Sequence, residues 1–334
     1  MELGQPLISE GTATKSAISI VVPCYNEAEV LPEFFSRLNK VLDGLPYAST
    51  ILFVNDGSTD ATLEILLKIA SVSSRVAILN LSRNFGKEAA MTAGLDHAAG
   101  DAVIVIDADL QDPPEVIPKL VERWIEGYDV VYAQRRVRSG ETLLKRSTSS
   151  AFYRVMRRAS RIELPVDTGD FRLMSRRSVD SLRRLREHHR FMKGLFAWVG
   201  YRQIAVVYDR APRHAGVTKW NYWKLWNFAL DGITSFTTVP LRVATYIGFF
   251  LAVFSGMYSI FIIIFTLIQG RAAPGYPSLM VVVLFLGGMQ LLTLGVLGEY
   301  IGRIFNEVKQ RPIYLVQNFQ SSKEVFDKGN FNGP

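Results

Sequence analysis

Asp107 and Asp109 stand two residues apart, directly after the apolar run Val103-Ile-Val-Ile106. Two carboxylates leaving a strand at this spacing can point into one small volume, where their repulsion is costly unless a cation lies between them. Such hard oxygen ligands suit Mg²⁺ or Mn²⁺, which bind through one or two carboxylates plus substrate phosphates. Asp56 also follows an apolar run, in Val54-Asn-Asp-Gly-Ser-Thr-Asp60, and Asn26-Glu27 follows another. Three acidic strand ends are a poor choice for stability and a sensible one for a nucleotide. One carboxylate can accept from a uracil N–H, another from ribose hydroxyls, and a third can hold a metal on the diphosphate. Gly86 and Lys87, before a helix start, can approach that diphosphate. The four histidines show no ligand spacing, and the single cysteine, Cys24, excludes an internal disulfide and any Cys-based zinc site.

The elements that must carry these residues follow from periodicity. Ile18–Val22, Ile51–Val54, Val76–Leu81, Val103–Ile106 and Asp129–Ala133 read as strands. Between them Ala28–Leu42, Ala61–Ala70, Glu88–Ala99 and a segment after Pro113-Pro114 read as helices. Such alternation predicts an α/β fold with a mainly parallel sheet covered on both faces, and ligands at the carboxyl ends of its strands.

The chain has 334 residues, 49% of them hydrophobic and 21% charged, a balance that excludes a disordered chain. Val243–Ile268 (26 residues) and Tyr276–Gly298 (23 residues) carry no charge. Each exceeds the roughly 20 apolar residues that a membrane-spanning helix needs. The short link Gln269–Gly275 makes them a hairpin with both ends on one side. Lys219, Lys224 and Arg242 precede the hairpin and Arg303, Lys309 and Arg311 follow it, against Arg271 alone in the turn. Positive charge collects on the cytoplasmic side, so both termini and the α/β domain are expected there. Met1–Ser16 has no apolar core of a signal peptide. The net charge of +7 comes with no nucleic-acid-binding motif, which points to anionic lipid instead. In about 143–161, Arg146, Arg154, Arg157, Arg158 and Arg161 oppose Leu144, Phe152 and Val155, the pattern of an interfacial helix. Trp220, Trp223 and Trp226 suggest a second one before the first span.

Ile20-Val-Val-Pro-Cys-Tyr-Asn-Glu27, Val54–Asp60 and Asp107-Ala-Asp-Leu-Gln-Asp-Pro-Pro-Glu115 resemble the three leading motifs of family 2 glycosyltransferases of the GT-A fold. Asp167-Thr-Gly-Asp-Phe-Arg172 and the two-helix tail narrow the resemblance to polyprenyl-phosphate glycosyltransferases, the branch of dolichol-phosphate mannose synthase and the bactoprenol glucosyltransferases. The resemblance covers about Ala17 to Arg311. It implies that Pro23, Tyr25, Glu27 and Asp56 hold the nucleoside, with Asp107 near ribose or metal. Asp109 and Gln111 become metal ligands, and Asp170 lies beside the reacting centre as base or orienting group. Arg213-His-Ala-Gly-Val-Thr-Lys219 is similar to the branch's R-x-x-G-x-[ST]-K segment, so Arg213 and Lys219, with Arg135, are expected to grip the acceptor phosphate.

The implied reaction moves a hexose, with UDP-glucose as the expected donor, to polyprenyl phosphate with inversion, assisted by Mg²⁺ or Mn²⁺. The alternatives are a processive polysaccharide synthase, whose Q-x-x-R-W segment is absent, and a non-enzymatic flippase or scaffold component. The expected divisions are a disordered tail (1–16), a catalytic domain (17–218), an interfacial helix (219–236), a transmembrane hairpin (237–303) and a C-terminal tail (304–334). Gly288, Gly295 and Gly302 recur every seven residues on the second span. Small residues let membrane helices approach, so a homo-oligomer, up to a tetramer, is expected.

Overall fold

The computed structural model describes residues 16–136, 168–209, 237–269 and 275–321. Residues 1–15 of the expected N-terminal tail, both expected interfacial helices, Arg213 and Lys219 lie outside the described residues.

The strands are β1 (Ala17–Cys24), β2 (Ala48–Asn55), β3 (Val76–Leu81), β4 (Ala102–Val105), β5 (Val130–Arg135), β6 (Thr168–Ser175), β7 (Gln203–Tyr208) and β8 (Val316–Ser321). They form one sheet in the order β7-β5-β6-β4-β1-β2-β3-β8. β3, β2, β1 and β4 run parallel side by side, as do β5 and β7. Antiparallel β6 is inserted between β4 and β5, and antiparallel β8 closes the edge at β3.

Helices α1 (Leu31–Asp43), α2 (Thr62–Val72) and α4 (Ile117–Ile125) cover one face. Helices α3 (Lys87–His97), α5 (Arg176–Arg183) and α6 (Met192–Trp198) cover the other. The central strands therefore feed two cores. Ile18, Ile20, Val22, Ile51 and Phe53 enter the first, while Val21, Leu52 and Val54 enter the second. Burial on both faces is why these strands read as continuous apolar runs rather than as alternation. Helix α3 lies close on the sheet: a Cβ built on Gly94 would come within 2.2 Å of Val21 Cγ1.

Helices α7 (Val239–Gln269) and α8 (Tyr276–Val308) have 31 and 33 residues, about 46 and 50 Å at 1.5 Å per residue. Both are long and apolar enough to cross a membrane, and none of their apolar windows is buried. The Tyr300 hydroxyl donates to the carbonyl of Thr237 at 2.6 Å, tying the base of the hairpin together. Glu299 and Arg303 pair along α8 at 2.9 Å.

The expected C-terminal tail is corrected by the structure. Position 304 lies inside α8, and residues 316–321 are a strand of the catalytic sheet. The end of α8 is held first: Glu307 accepts the backbone N–H of His188 at 2.7 Å. Tyr314 then donates to Asp96 at 2.8 Å, and the carbonyl of Leu315 accepts the N–H of Ser82 at 2.9 Å. Gln317 accepts from Asn80, which itself accepts from Asn55, so polar side chains run across three neighbouring strands. Exposed Gln and Asn in a short strand carry little apolar signal, and pairing supplies what the local pattern lacks.

Candidate active site

The loops leaving β1 and β2 are laced together. The N–H of Asn26 donates to Ser58 Oγ at 3.1 Å, and its side-chain oxygen accepts the N–H of Thr59 at 2.8 Å. The N–H of Glu27 donates to Thr62 Oγ1, and that of Ala28 to Asp60. Asn26 sits at φ 55°, a left-handed conformation that asparagine tolerates better than most residues. Tyr25, 40% exposed, stands at the rim beside the half-buried Pro23.

Asp56 is buried, and its two oxygens accept the backbone N–H groups of Phe85 at 2.7 Å and Gly86 at 2.9 Å. Burial nevertheless raises its pKa from the ordinary value, against those bonds and nearby Arg83. Gly57 has φ +62°, and a Cβ there would lie 2.4 Å from the Arg83 carbonyl carbon. The loop after β2 thus carries the loop after β3 on its back.

That second loop ends at Lys87, the first residue of α3. Its ammonium donates to Asp107 Oδ2 at 2.7 Å and to Asp170 Oδ2 at 2.6 Å. The register explains the meeting. Val105 on β4 faces Arg172 on antiparallel β6, so two residues further along, position 107 comes opposite position 170. Burial would lower the Lys87 pKa, but the two carboxylates outweigh it and raise it. Burial pushes Asp107 up, against Lys87 and aided by Asp170 and Asp112. For Asp170 burial also pushes upward, yet Lys87 and Lys193 prevail and hold its pKa at about 2. Around this group, burial lowers the Lys193 ammonium, and pushes Arg172 down to about 10 against the pull of Asp170 and Glu88. Glu88 is pushed up to about 7, by burial first and by Asp170 second.

Leu110 turns the loop after Asp107 through φ 58°, and the N–H of Gln111 donates to Asp109 Oδ1 at 3.1 Å. Gln111 and Asp112 are buried below this turn. Asp112 accepts from the Tyr208 hydroxyl and from Arg135 Nη2, the latter at 3.3 Å, while Arg135 Nε donates to Tyr208 at 3.2 Å. Arg135 passes over Gly169, where a Cβ would stand 3.0 Å from its guanidinium nitrogen. A side chain at this position would press on the guanidinium as it crosses the strand that carries Asp170.

The structure therefore brings Asp107, Asp109, Gln111, Asp170 and Arg135 to one rim. Asp56 is two strands away across β1, on the side of Pro23, Tyr25 and Glu27. Among the described residues no group of three or more acidic, His or Cys side chains converges as a metal cage. The oxygen set of Asp107, Asp109 and Gln111 still fits Mg²⁺ or Mn²⁺, which take few protein ligands when phosphates complete the shell. Sequence reasoning missed Glu88, Asp112, Arg172 and Lys193, and saw Lys87 only beside a diphosphate. The β4–β6 register brings Arg172 and Asp170 beside the end of β4, and the packing of α3 and α6 on that face of the sheet adds Glu88 and Lys193; no local pattern carries either.

A family model described as glycosyl transferase family 2 matches residues 19–183, and a model of the GtrB C-terminal hairpin matches residues 239–304. An uncharacterised glycosyltransferase of Synechocystis sp. is 56% identical over 90% of this chain and 95% of its own length. The bactoprenol glucosyl transferase of Shigella phage SfV is 52% identical over 90% of this chain and 98% of its own. A prophage bactoprenol glucosyl transferase homologue of Escherichia coli K12 is 50% identical over 90% and 98% respectively.

Proposed function

The chain belongs to glycosyltransferase family 2, and we propose that it transfers glucose from UDP-glucose to polyprenyl phosphate, with inversion at the anomeric carbon. The observation that carries this reading is the match to the phage bactoprenol glucosyl transferase along catalytic domain and hairpin alike. An acceptor with a polyprenyl tail needs a catalytic domain beside a bilayer, and the hairpin supplies the anchor. Positive residues flanking the hairpin favour a cytoplasmic catalytic domain and cytoplasmic termini.

Asp107 and Asp109, with Gln111, would hold Mg²⁺ or Mn²⁺, which supplies positive charge to the leaving diphosphate. Pro23, Tyr25, Glu27 and Asp56 are assigned to the nucleoside. The bonds of Asp56 to Phe85 and Gly86 support an additional role in shaping that wall. Arg213, Lys219 and Arg135 are assigned to the acceptor phosphate, with Arg135 aimed by Asp112 and Tyr208. A phosphate monoester has a second pKa near 6, so the acceptor is already mostly dianionic at neutral pH. A carboxylate held at about 2 is a poor proton acceptor, which supports Asp170 as an orienting group rather than a base.

A homo-oligomer, up to a tetramer, completes the reading. Cβ atoms built on Gly288, Gly295 and Gly302 meet nothing within 4 Å, so α7 leaves this stripe open to another copy.

Incubating the purified full chain with labelled UDP-glucose, Mg²⁺ or Mn²⁺ and polyprenyl phosphate should yield a glucosylated lipid. Product from another nucleotide sugar only would revise the sugar. No product from any donor would overturn the enzymatic reading.

A further inference from the structure

We infer that Lys193 binds the acceptor's phosphate and, with Arg135, holds it beside Asp170. The inference rests on the polyprenyl-phosphate reading above and adds to it a cation that the reading does not use.

Among the described residues, four cations stand around Gly169 and Asp170: Lys87, Arg172, Arg135 and Lys193. Three of them are engaged by the protein. Lys87 donates to Asp107 and Asp170 at 2.7 and 2.6 Å. Arg172 donates to the backbone carbonyls of Gly169 at 2.9 Å and Asp170 at 3.3 Å, and lies over the ring of Phe196. Arg135 donates to Asp112 and Tyr208. Lys193 differs, for its half-buried ammonium has no hydrogen-bond or ion-pair partner among the described residues. Burial lowers its pKa, Asp170 acts against that, and Lys87, Arg172 and Arg135 act with it, so the ammonium stands in the field of all four. Three N–H donors drawn out of water without an acceptor carry a cost that an arriving anionic oxygen removes. Arg135 passes over Gly169, next to Asp170. A phosphate monoester held between Arg135 and Lys193 would therefore lie beside the carboxylate.

The way α6 is held favours the acceptor over the donor. A lipid-borne acceptor arrives from the side of the hairpin, and the loop before α6 is docked there. Glu307 at the end of α8 accepts the N–H of His188 at 2.7 Å, and the Asn306 amide meets His189 Nε2 at 3.0 Å. Lys193 follows His188 by five residues, no more than roughly 18 Å of chain. On the other side Glu88 Oε2 accepts the N–H of Met192 at 3.2 Å, which fixes the residue before Lys193 to α3. Helix α6 is thus held between the hairpin base and the catalytic centre, and Lys193 is the cation that it brings to Asp170.

The test uses the full chain in detergent with Mg²⁺. UDP and farnesyl phosphate, a short prenyl monophosphate, are each titrated by calorimetry, and transfer from UDP-glucose to polyprenyl phosphate is measured in parallel. Lys193→Met should weaken farnesyl phosphate by roughly tenfold or more, raise the acceptor KM and leave UDP affinity unchanged. Lys193→Arg should recover part of the loss. Unchanged farnesyl phosphate affinity in Lys193→Met would overturn the proposal, as would a loss of UDP affinity as large as that of farnesyl phosphate. A raised KM for UDP-glucose with an unchanged acceptor KM would put Lys193 on the donor sugar and overturn it too. If farnesyl phosphate binding depends on Lys193 but wild type transfers no sugar, the enzymatic reading fails and the assignment stands. If wild type transfers glucose and Lys193→Met matches it, only the assignment fails. Wild type that neither binds farnesyl phosphate nor transfers sugar would sink both.

Discussion

Asp170 and Glu88 lie within reach of one another's charge, yet their pKa values move in opposite directions. Asp170 falls to about 2 because two lysines outweigh its burial, whereas Glu88 rises to about 7 because burial dominates. Asp170 therefore does not titrate near neutrality. We expect Asp170→Asn to lower turnover by about 10²-fold, within the range for a misaligned acceptor. The pH–rate profile above pH 7 should keep its shape, and a lost limb there would restore the base assignment. For Glu88 the folded pKa lies above the ordinary value, so the folded state holds a proton that the unfolded chain has released. Folding is then favoured below that ordinary value and loses this contribution as pH rises towards 7. Glu88→Gln should flatten the fall in stability between about pH 4.5 and 7, measured by denaturant unfolding; an unchanged slope would refute the assignment.

At the scale of elements, α3 matters most, since it rests on the sheet through Gly94 and presents Lys87 at its start. Gly94→Ala should improve intrinsic helix propensity by about 1 kcal/mol. The new methyl, however, would sit 2.2 Å from Val21 Cγ1, and overpacking of this kind costs roughly 1–3 kcal/mol. Net destabilisation is expected in chemical unfolding, with a loss of turnover as α3 shifts Lys87. A stabilised variant would show that the sheet yields. Strand β8 is the other informative element. Its pairing with β3 and the hold of Glu307 on His188 fasten both ends of the link that follows α8 to the catalytic domain. The hairpin base and the sheet edge are thus connected by a short chain segment instead of a free tail.

At the scale of the molecule, two long apolar helices stand beside a domain whose own cores are closed. Lipid covers apolar surface but gives helices no hydrophobic reason to associate, so close packing at small residues has to supply it. Replacing Gly295 and Gly302 with Leu should shift the detergent-solubilised protein towards monomer in light scattering. A wild type that is monomeric in both mild detergent and nanodiscs would remove the homo-oligomer. Much of this organisation was legible in the residues. Apolar runs marked five strands, and their ends marked Asp56 and Asp107, because ligand loops in parallel sheets follow strand carboxyl ends. Uncharged stretches of 26 and 23 residues marked the hairpin. The tertiary structure alone decided that Asp170 faces Asp107, that Lys87 bridges them, and that residues 316–321 return to the sheet. Local periodicity reports how a segment is buried, but not which distant segment pairs with it or in what register. Those choices depend on long-range pairing, and here antiparallel strands β6 and β8 made them.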